Sequence, residues 1–256
     1  MVDAIAAGRA VLAGTATSTP KSTTGLVECI RLLRIARRSA MKARTQAVNQ
    51  FHSVIDTAPE DLRAELNSVR LVEQLRRAAR FRNTEPVTPR AAAKVALTSI
   101  SRRWADLQEE IVLLDGQLQA LVKQTAPDLV ASHGIGPDTA GALLVAAGDN
   151  PLRLHNEAAF AALCGSSPVQ ASSGKTTRHR LNRGGNREAN NALWRIVLVR
   201  MGSEPRTEYV QRRTKDGLSK PEIMRCLKRY VAREVFQTIR SLGLEPPITT
   251  PQHLTP

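Results

Sequence analysis

Apolar residues along this chain follow helical spacing, and the texture of the pattern changes near Thr125. Met1–Gly14 is a short, apolar-rich run that predicts a helix. The Thr/Ser/Pro stretch from Thr15 to Thr24 predicts a linker. From Leu26 to about Ile55 there is no Gly or Pro. Within that run Leu26, Cys29, Leu33, Ala36, Ala40, Ala43 and Ala47 alternate spacings of three and four. Such spacing predicts a helix with a narrow seam of small residues, suited to close pairing with another helix. Arg31, Arg34, Arg37, Arg38, Lys42 and Arg44 line the remainder, with no acid among them.

Thr57-Ala58-Pro59-Glu60 has the form of a helix start, with a Thr cap, an early Pro and a Glu three residues on. It predicts a helix reaching roughly Arg80. Thr88-Pro89 opens another helix, in which Leu97, Ile100, Trp104, Leu107, Ile111, Leu114, Leu118 and Leu121 keep a heptad seam. That seam fits a coiled coil or the long arm of an antiparallel helical hairpin, within one subunit or between two.

Beyond Ala126, Gly, Pro and Ser become common and the predicted helices shorten. Leu129–Ala147 reads as a short helix, a Gly134-Ile135-Gly136 turn and a second apolar helix, a helix-hairpin-helix. The glycines permit a tight turn, and free N–H groups at the second helix start suit a phosphate contact without sequence preference. The plainer reading is a glycine-rich turn between two buried helices. In Gly165–Arg200, Lys175, Arg178, Arg180, Arg183, Arg187, Arg195 and Arg200 face the single acid Glu188. Asn186, after Gly184-Gly185, is placed to cap the following helix. A Ser-Gly step in such a loop can set a hydroxyl beside a phosphodiester, with cations to stabilise charge on phosphorus. Ser219-Lys220-Pro221-Glu222 starts a last helix with the apolar stripe Ile223, Leu227, Tyr230, Val231, Val235 and Ile239. Lys215, Lys220, Arg225, Lys228, Arg229 and Arg233 are expected to extend the basic surface.

Charge sharpens this picture. Lys and Arg outnumber Asp and Glu by 37 to 23, a formal net charge of +14. The surplus is clustered and predicts a polyanionic partner, nucleic acid foremost. Hydrophobic residues at 42% exclude a disordered chain, and aromatics at 3% favour packed helices over a β-sandwich. Cys29, Cys164 and Cys226 are isolated, so neither a zinc site nor a disulfide framework is expected. No membrane span or signal peptide is read, and the expected location is the cytoplasm.

The ordered blocks resemble one family. Val2-Asp3-Ala4, the Arg-rich helix, the heptad helix, HGIGPDTA and FAALCGSSPVQASSGKTTRHRLNRGGNREANNALW together look like the Piv-invertase-like, DEDD-type insertion-sequence transposases guided by a bridge RNA. The last two blocks carry the resemblance. It implies a resolvase-like domain with four acidic residues holding divalent metal, Mg²⁺ by expectation. It also implies a coiled coil that supports a homo-oligomer and a C-terminal domain whose serine attacks DNA. Carried onto this chain, the serine is Ser173, with Ser172 as its neighbour, and Asp3 fits the last carboxylate. The other three acids have no counterpart, which leads to the expectation of an N-terminally truncated copy. Implied nucleic-acid contacts are Gly134, Gly136, Lys175, Arg178, Arg180, Arg183 and Arg187.

The expected fold is all-α. Residues 1–24 would be a catalytic-domain remnant and linker, 25–125 a helical arm, 126–245 the C-terminal transposase domain and 246–256 a tail. The partners would be DNA and a guide RNA. The alternative is a DNA- or RNA-binding or dimerising remnant without catalysis. A small-molecule serine hydrolase is disfavoured, since there is no nucleophile elbow and no strand scaffold to carry one.

Overall fold

The computed structural model describes residues 2–15, 19–82, 85–172, 179–203 and 208–243. Among them are eleven α-helices, one 3-10 turn and one two-stranded sheet, so the fold is all-α. The chain forms two compact units. The described residues up to Arg31 and from Gln119 onward make one, and Leu32–Leu118 make the other.

The Leu32–Leu118 unit holds most of two long helices, α2 (Leu26–Thr57) and α5 (Pro89–Thr125), and all of α3 (Glu60–Asn67) and α4 (Leu71–Ala79). Cross-links show that α2 and α5 run antiparallel. Arg37 bonds Asp115, Arg44 Nη1 donates to Gln108 Oε1 at 2.5 Å, and Arg103 Nη2 donates to Gln50 Oε1 at 2.6 Å. As the α2 partner advances, the α5 partner retreats. The heptad side chains Leu97, Ile111, Leu114 and Leu118 are buried by their own chain. Ile100, Trp104, Leu107 and Leu121 of the same seam are half-buried. Phe51, Ile55, Leu62, Leu66, Leu75 and Leu97 form the core where α3 and α4 close over the pair.

Four expectations for these helices are corrected. The helix expected from Thr57 to Arg80 is two helices, broken at Ser68–Arg70, where Ser68 Oγ donates to Glu65 O at 2.8 Å and closes the first. Ser, Asn and Arg-flanked polar positions offer local bonds that compete with helix continuation. Thr57 ends α2 rather than capping α3, whose N-cap is Pro59. In α2 the seam holds at Ala40 and Ala47, but at the start Val27 and Ile30 are buried while Leu26 and Cys29 are exposed. The basic stripe is also partly neutralised, since Arg31 pairs with Glu28 one turn earlier at 2.6 Å.

In the other unit α1 (Val2–Leu12) precedes a segment pinned against α7 (Pro137–Ala147) and the turn after it. Lys21 Nζ donates to Val145 O at 2.7 Å, and burial lowers its pKa. Ser22 N donates to Asn150 Oδ1 at 2.8 Å, and Asn150 Nδ2 donates to Pro20 O at 2.9 Å. Asp149, 3% exposed, accepts from Val27 N at 2.8 Å. A carboxylate thus sits at the N-terminus of α2, satisfying an otherwise orphaned donor and opposing the helix dipole. The expected linker is in this part a docked strap.

The rest of the unit surrounds α7, which is apolar all round and buried on nearly every side. It contacts α6 (Pro127–Ala131) and α9 (Arg187–Ser203). The final helix, α11 (Lys220–Ser241), crosses α9 and α8 (Glu157–Leu163).

Asp149→Ala should lower stability by about 2 kcal/mol, the range for leaving a buried donor without its acceptor. Urea unfolding followed by circular dichroism checks this, and an unchanged midpoint would show that the strap carries no stability.

Candidate nucleic-acid interface

The two sequence blocks around Cys164-Gly165 and Gly184-Gly185 meet in space, and backbone chemistry explains why. Helix α8 ends in a Schellman motif. Gly165 N donates to Ala162 O at 3.0 Å and Ser166 N to Ala161 O at 2.8 Å, with Gly165 at φ +61°. Gly185, at φ +80°, lies against this turn. A Cβ there would stand 2.5 Å from Gly165 N, 2.7 Å from Leu163 O and 2.8 Å from Ala162 O. Only glycine permits that approach. Asn186 N then donates to Leu163 O at 2.6 Å. The Asn186 side chain accepts from Glu188 N at 2.9 Å and Ala189 N at 3.0 Å, capping α9 as its sequence position predicts.

A buried polar chain backs this contact. Asn190 Nδ2 donates to Cys164 O at 2.8 Å and Gly165 O at 2.9 Å, and Lys228 Nζ donates to Asn190 Oδ1 at 2.9 Å. Lys228 is only 5% exposed. Burial lowers its pKa, and nearby Arg225 adds to the effect. Cys164 is sealed in the same place, its thiol pushed up to about 12 by burial.

Two expectations for α11 change here. Lys228 is not part of the basic surface; it occupies the buried stripe with Ile223, Val231, Val235 and Ile239. Tyr230, expected inside, is 53% exposed. Lys228 was findable, because it stands three, four and seven residues before Val231, Ala232 and Val235, on one helical face. The predicted start holds: Ser219 N and Oγ both donate to Glu222 Oε2, at 2.9 and 2.6 Å.

Just beyond Gly165 the chain forms an antiparallel pair of strands, β1 (Val169–Gln170) and β2 (His179–Arg180), with Val169 opposite Arg180 and Gln170 opposite His179. Sequence reading missed this hairpin, since two-residue strands leave no alternation to detect. A cavity of about 600 Å³ lies among the hairpin, α10 (Glu208–Lys215) and α11. Its walls carry Arg180, Arg213, Arg225, Lys228, Arg229 and Arg233 against the carboxylates Asp216 and Glu222. Arg229 and Arg233 are held by Glu157, with Arg233 Nε 2.5 Å and Arg229 Nη2 3.0 Å from its oxygens. The Arg233 hydrogen bond keeps the Glu157 carboxyl below its ordinary range.

Other predicted site residues are distributed as follows. Gly134 sits in the turn between α6 and α7 at φ +78°, a conformation that requires glycine. Gly136 caps α7 at φ −85° with open space around it. The first turn of α7 is not bare, since Arg195 reaches Asp138 at 2.6 Å. Arg200 is a structural clamp: it donates to His133 O at 2.8 Å and to both oxygens of Glu234 at 2.7 Å. Arg180, Arg183 and Arg187 are exposed, in β2, in the following loop and at the start of α9. Ser173, Lys175 and Arg178 lie outside the described residues, as does the side chain of Asp3; Ser172 is described and exposed. Among the described residues no group of three or more His, Cys, Asp or Glu could hold a metal ion. Among them, too, no helix is long and apolar enough to cross a membrane.

Residues 128–211 match the family described as Transposase IS116/IS110/IS902 family. No curated protein matches the chain. The matched segment runs from α6 into α10 and includes the glycine contact, the hairpin and α9. This supports a transposase of an insertion sequence, with DNA as its substrate.

Gly185→Ala should destabilise the protein by about 2 kcal/mol or more, combining a left-handed backbone with overpacking. Gly136→Ala should stay within about 0.5 kcal/mol. Thermal unfolding of the two variants side by side checks the contrast, and equal losses would refute it. A second prediction concerns pH. The unfolded chain holds the Lys228 proton more tightly than the folded chain does. The burden on folding is thus fully present at neutral pH. It lifts as pH rises through the lowered folded value toward the ordinary lysine value of about 10.4. Relative to Lys228→Met, the wild type should gain stability over that rise. A pH series of urea unfolding curves reads the difference, and a flat one would contradict a buried ammonium.

Proposed function

We propose that the matched segment is the strand-cleaving and strand-joining part of an insertion-sequence recombinase, with Ser173 as nucleophile. The observation that supports it most is the position of the cation-lined cavity. Its rim includes His179 and Arg180, the residues that resume the chain immediately after the segment holding Ser173. In this reading Ser173 Oγ attacks a DNA phosphodiester. The Oγ–P bond forms, the P–O bond to one deoxyribose breaks, and that oxygen leaves as a hydroxyl after taking a proton. The serine proton passes to solvent or a neighbouring base. Attack by a second DNA hydroxyl on the phosphoserine reverses the step and joins new ends. One phosphodiester is exchanged for another, so no outside energy source is needed. Lys175, Arg178, Arg180, Arg183 and Arg187 offset the charge that grows on the phosphoryl oxygens.

The turn Gly134–Gly136 and the start of α7 serve as a second, sequence-independent phosphate contact, in a helix-hairpin-helix arrangement. Asp138 in that first turn weakens the contact, because its carboxylate already occupies the positive end of the helix. Cation and backbone contacts of this kind position DNA without reading it. A pairing guide RNA, as the family resemblance implies, would supply the sequence choice.

The test is a denaturant-resistant protein–DNA adduct formed on a duplex that carries the element's ends, with Mg²⁺ present. The wild type should form the adduct, Ser172→Ala should retain it and Ser173→Ala should abolish it. An adduct that survives Ser173→Ala overturns the assignment. Binding without any adduct from the wild type would leave a DNA-binding protein in place of an enzyme.

A further inference from the structure

Two arginines line the cavity wall, and each keeps one guanidinium nitrogen buried without an acceptor among the described residues. Arg213 Nε and Arg229 Nη1 are buried and make no hydrogen bond. Both residues line the same cavity. The neighbouring carboxylates are already engaged, Asp216 by Arg213 Nη1 at 3.1 Å and Glu157 by Arg229 Nη2 and Arg233. A buried charged donor without a partner carries its full desolvation cost. Those two nitrogens are sealed within the wall, while the arginines themselves line the cavity, and arginine forks match the geometry of phosphate.

The cavity is not lined by cations alone. Tyr209 and Tyr230 also line it, their rings 5.5 Å apart and edge-to-face at 82°. The Tyr209 phenol is raised to about 12 by burial, so it stays neutral and does not compete as an anion. Tyr230, 53% exposed, has a ring open to a planar partner. Paired cations and aromatic rings are what an unstacked nucleotide needs, with phosphate on the first and base on the second. The volume of about 600 Å³ holds a group of that size. A base within an intact duplex cannot enter such a cavity; one out of the stack can.

We infer that this cavity receives one unstacked DNA nucleotide, its phosphate against Arg213 and Arg229 and its base against Tyr230. What the nucleotide is for rests on the serine reading above, since the rim adjoins the Ser173 segment; whether it binds does not.

The experiment titrates the full chain with a single-stranded oligonucleotide bearing 2-aminopurine, and with its duplex. Circular dichroism confirms folding of each variant. Tyr230→Ala should weaken single-strand binding about tenfold and remove the 2-aminopurine quenching, while Tyr230→Phe stays within about twofold. Arg213→Gln should weaken it as well and flatten the salt dependence by about 0.7 in slope. Unchanged single-strand affinity in Tyr230→Ala overturns the inference. So does a loss confined to Arg213→Gln, which would leave a phosphate contact with no base, or an equal Tyr230 effect on the duplex. A Tyr230 effect on single strands that persists where no Ser173 adduct forms upholds the nucleotide site and fails only the serine reading.

Discussion

The close approach of two backbones, at Gly165 and at Gly184-Gly185, is the constraint on which the rest of the C-terminal unit depends. It brings the end of α8 against the start of α9, some twenty residues later in the chain. The intervening residues must then leave and return within a short distance, and the strands β1 and β2 are the way they do so. Helix α9 starts where it does because Asn186 is held there by Leu163 O and caps the next turn. A side chain at Gly165 or Gly185 would push these elements apart, and with them the hairpin that borders the cavity.

Asn190 and Lys228 stabilise the same contact from behind. Helix α8 ends with carbonyls at Cys164 and Gly165 that face the interior, and the Asn190 amide satisfies both. Its own oxygen is then satisfied by Lys228. A buried ammonium is an expensive way to close such a chain, because its charge loses water. The arrangement persists because removing any one member leaves a buried polar group without a partner. Charge elsewhere in the unit divides into two kinds. Arg195, Arg200 and Arg233 are committed to carboxylates or carbonyls and act as clamps between helices. Arg180, Arg183 and Arg187 project from the hairpin side and remain exposed. Net charge alone does not separate these roles.

The strap from Pro20 to Val27 shows the same economy. Asp149 serves the N-terminus of a helix more than a hundred residues away, and the glycines on both sides make room for the crossing. A Cβ on Gly25 would stand 2.5 Å from Asp149 Oδ1, and one on Gly148 the same distance from Lys21 Cγ.

By itself the sequence determined what depends on neighbours along the chain. Periodicity gave the all-α class, the long helices α2 and α5 and the last helix. Local capping chemistry gave the starts at Thr88-Pro89, Asn186 and Ser219, since each needs only residues within a turn of itself. The GSSP and RGGN blocks stood out as special, but not as partners, because nothing local says that two glycine turns will touch. Only the tertiary structure decided that Tyr230 is outside, since what packs against α11 sets how wide its buried face is. It also decided that Leu97, Ile111, Leu114 and Leu118 of the heptad are buried within the chain, and that Arg213 and Arg229 share a wall with two tyrosines. Those are relations between distant segments, fixed by burial and by the satisfaction of polar groups, and no spacing within a single helix encodes them.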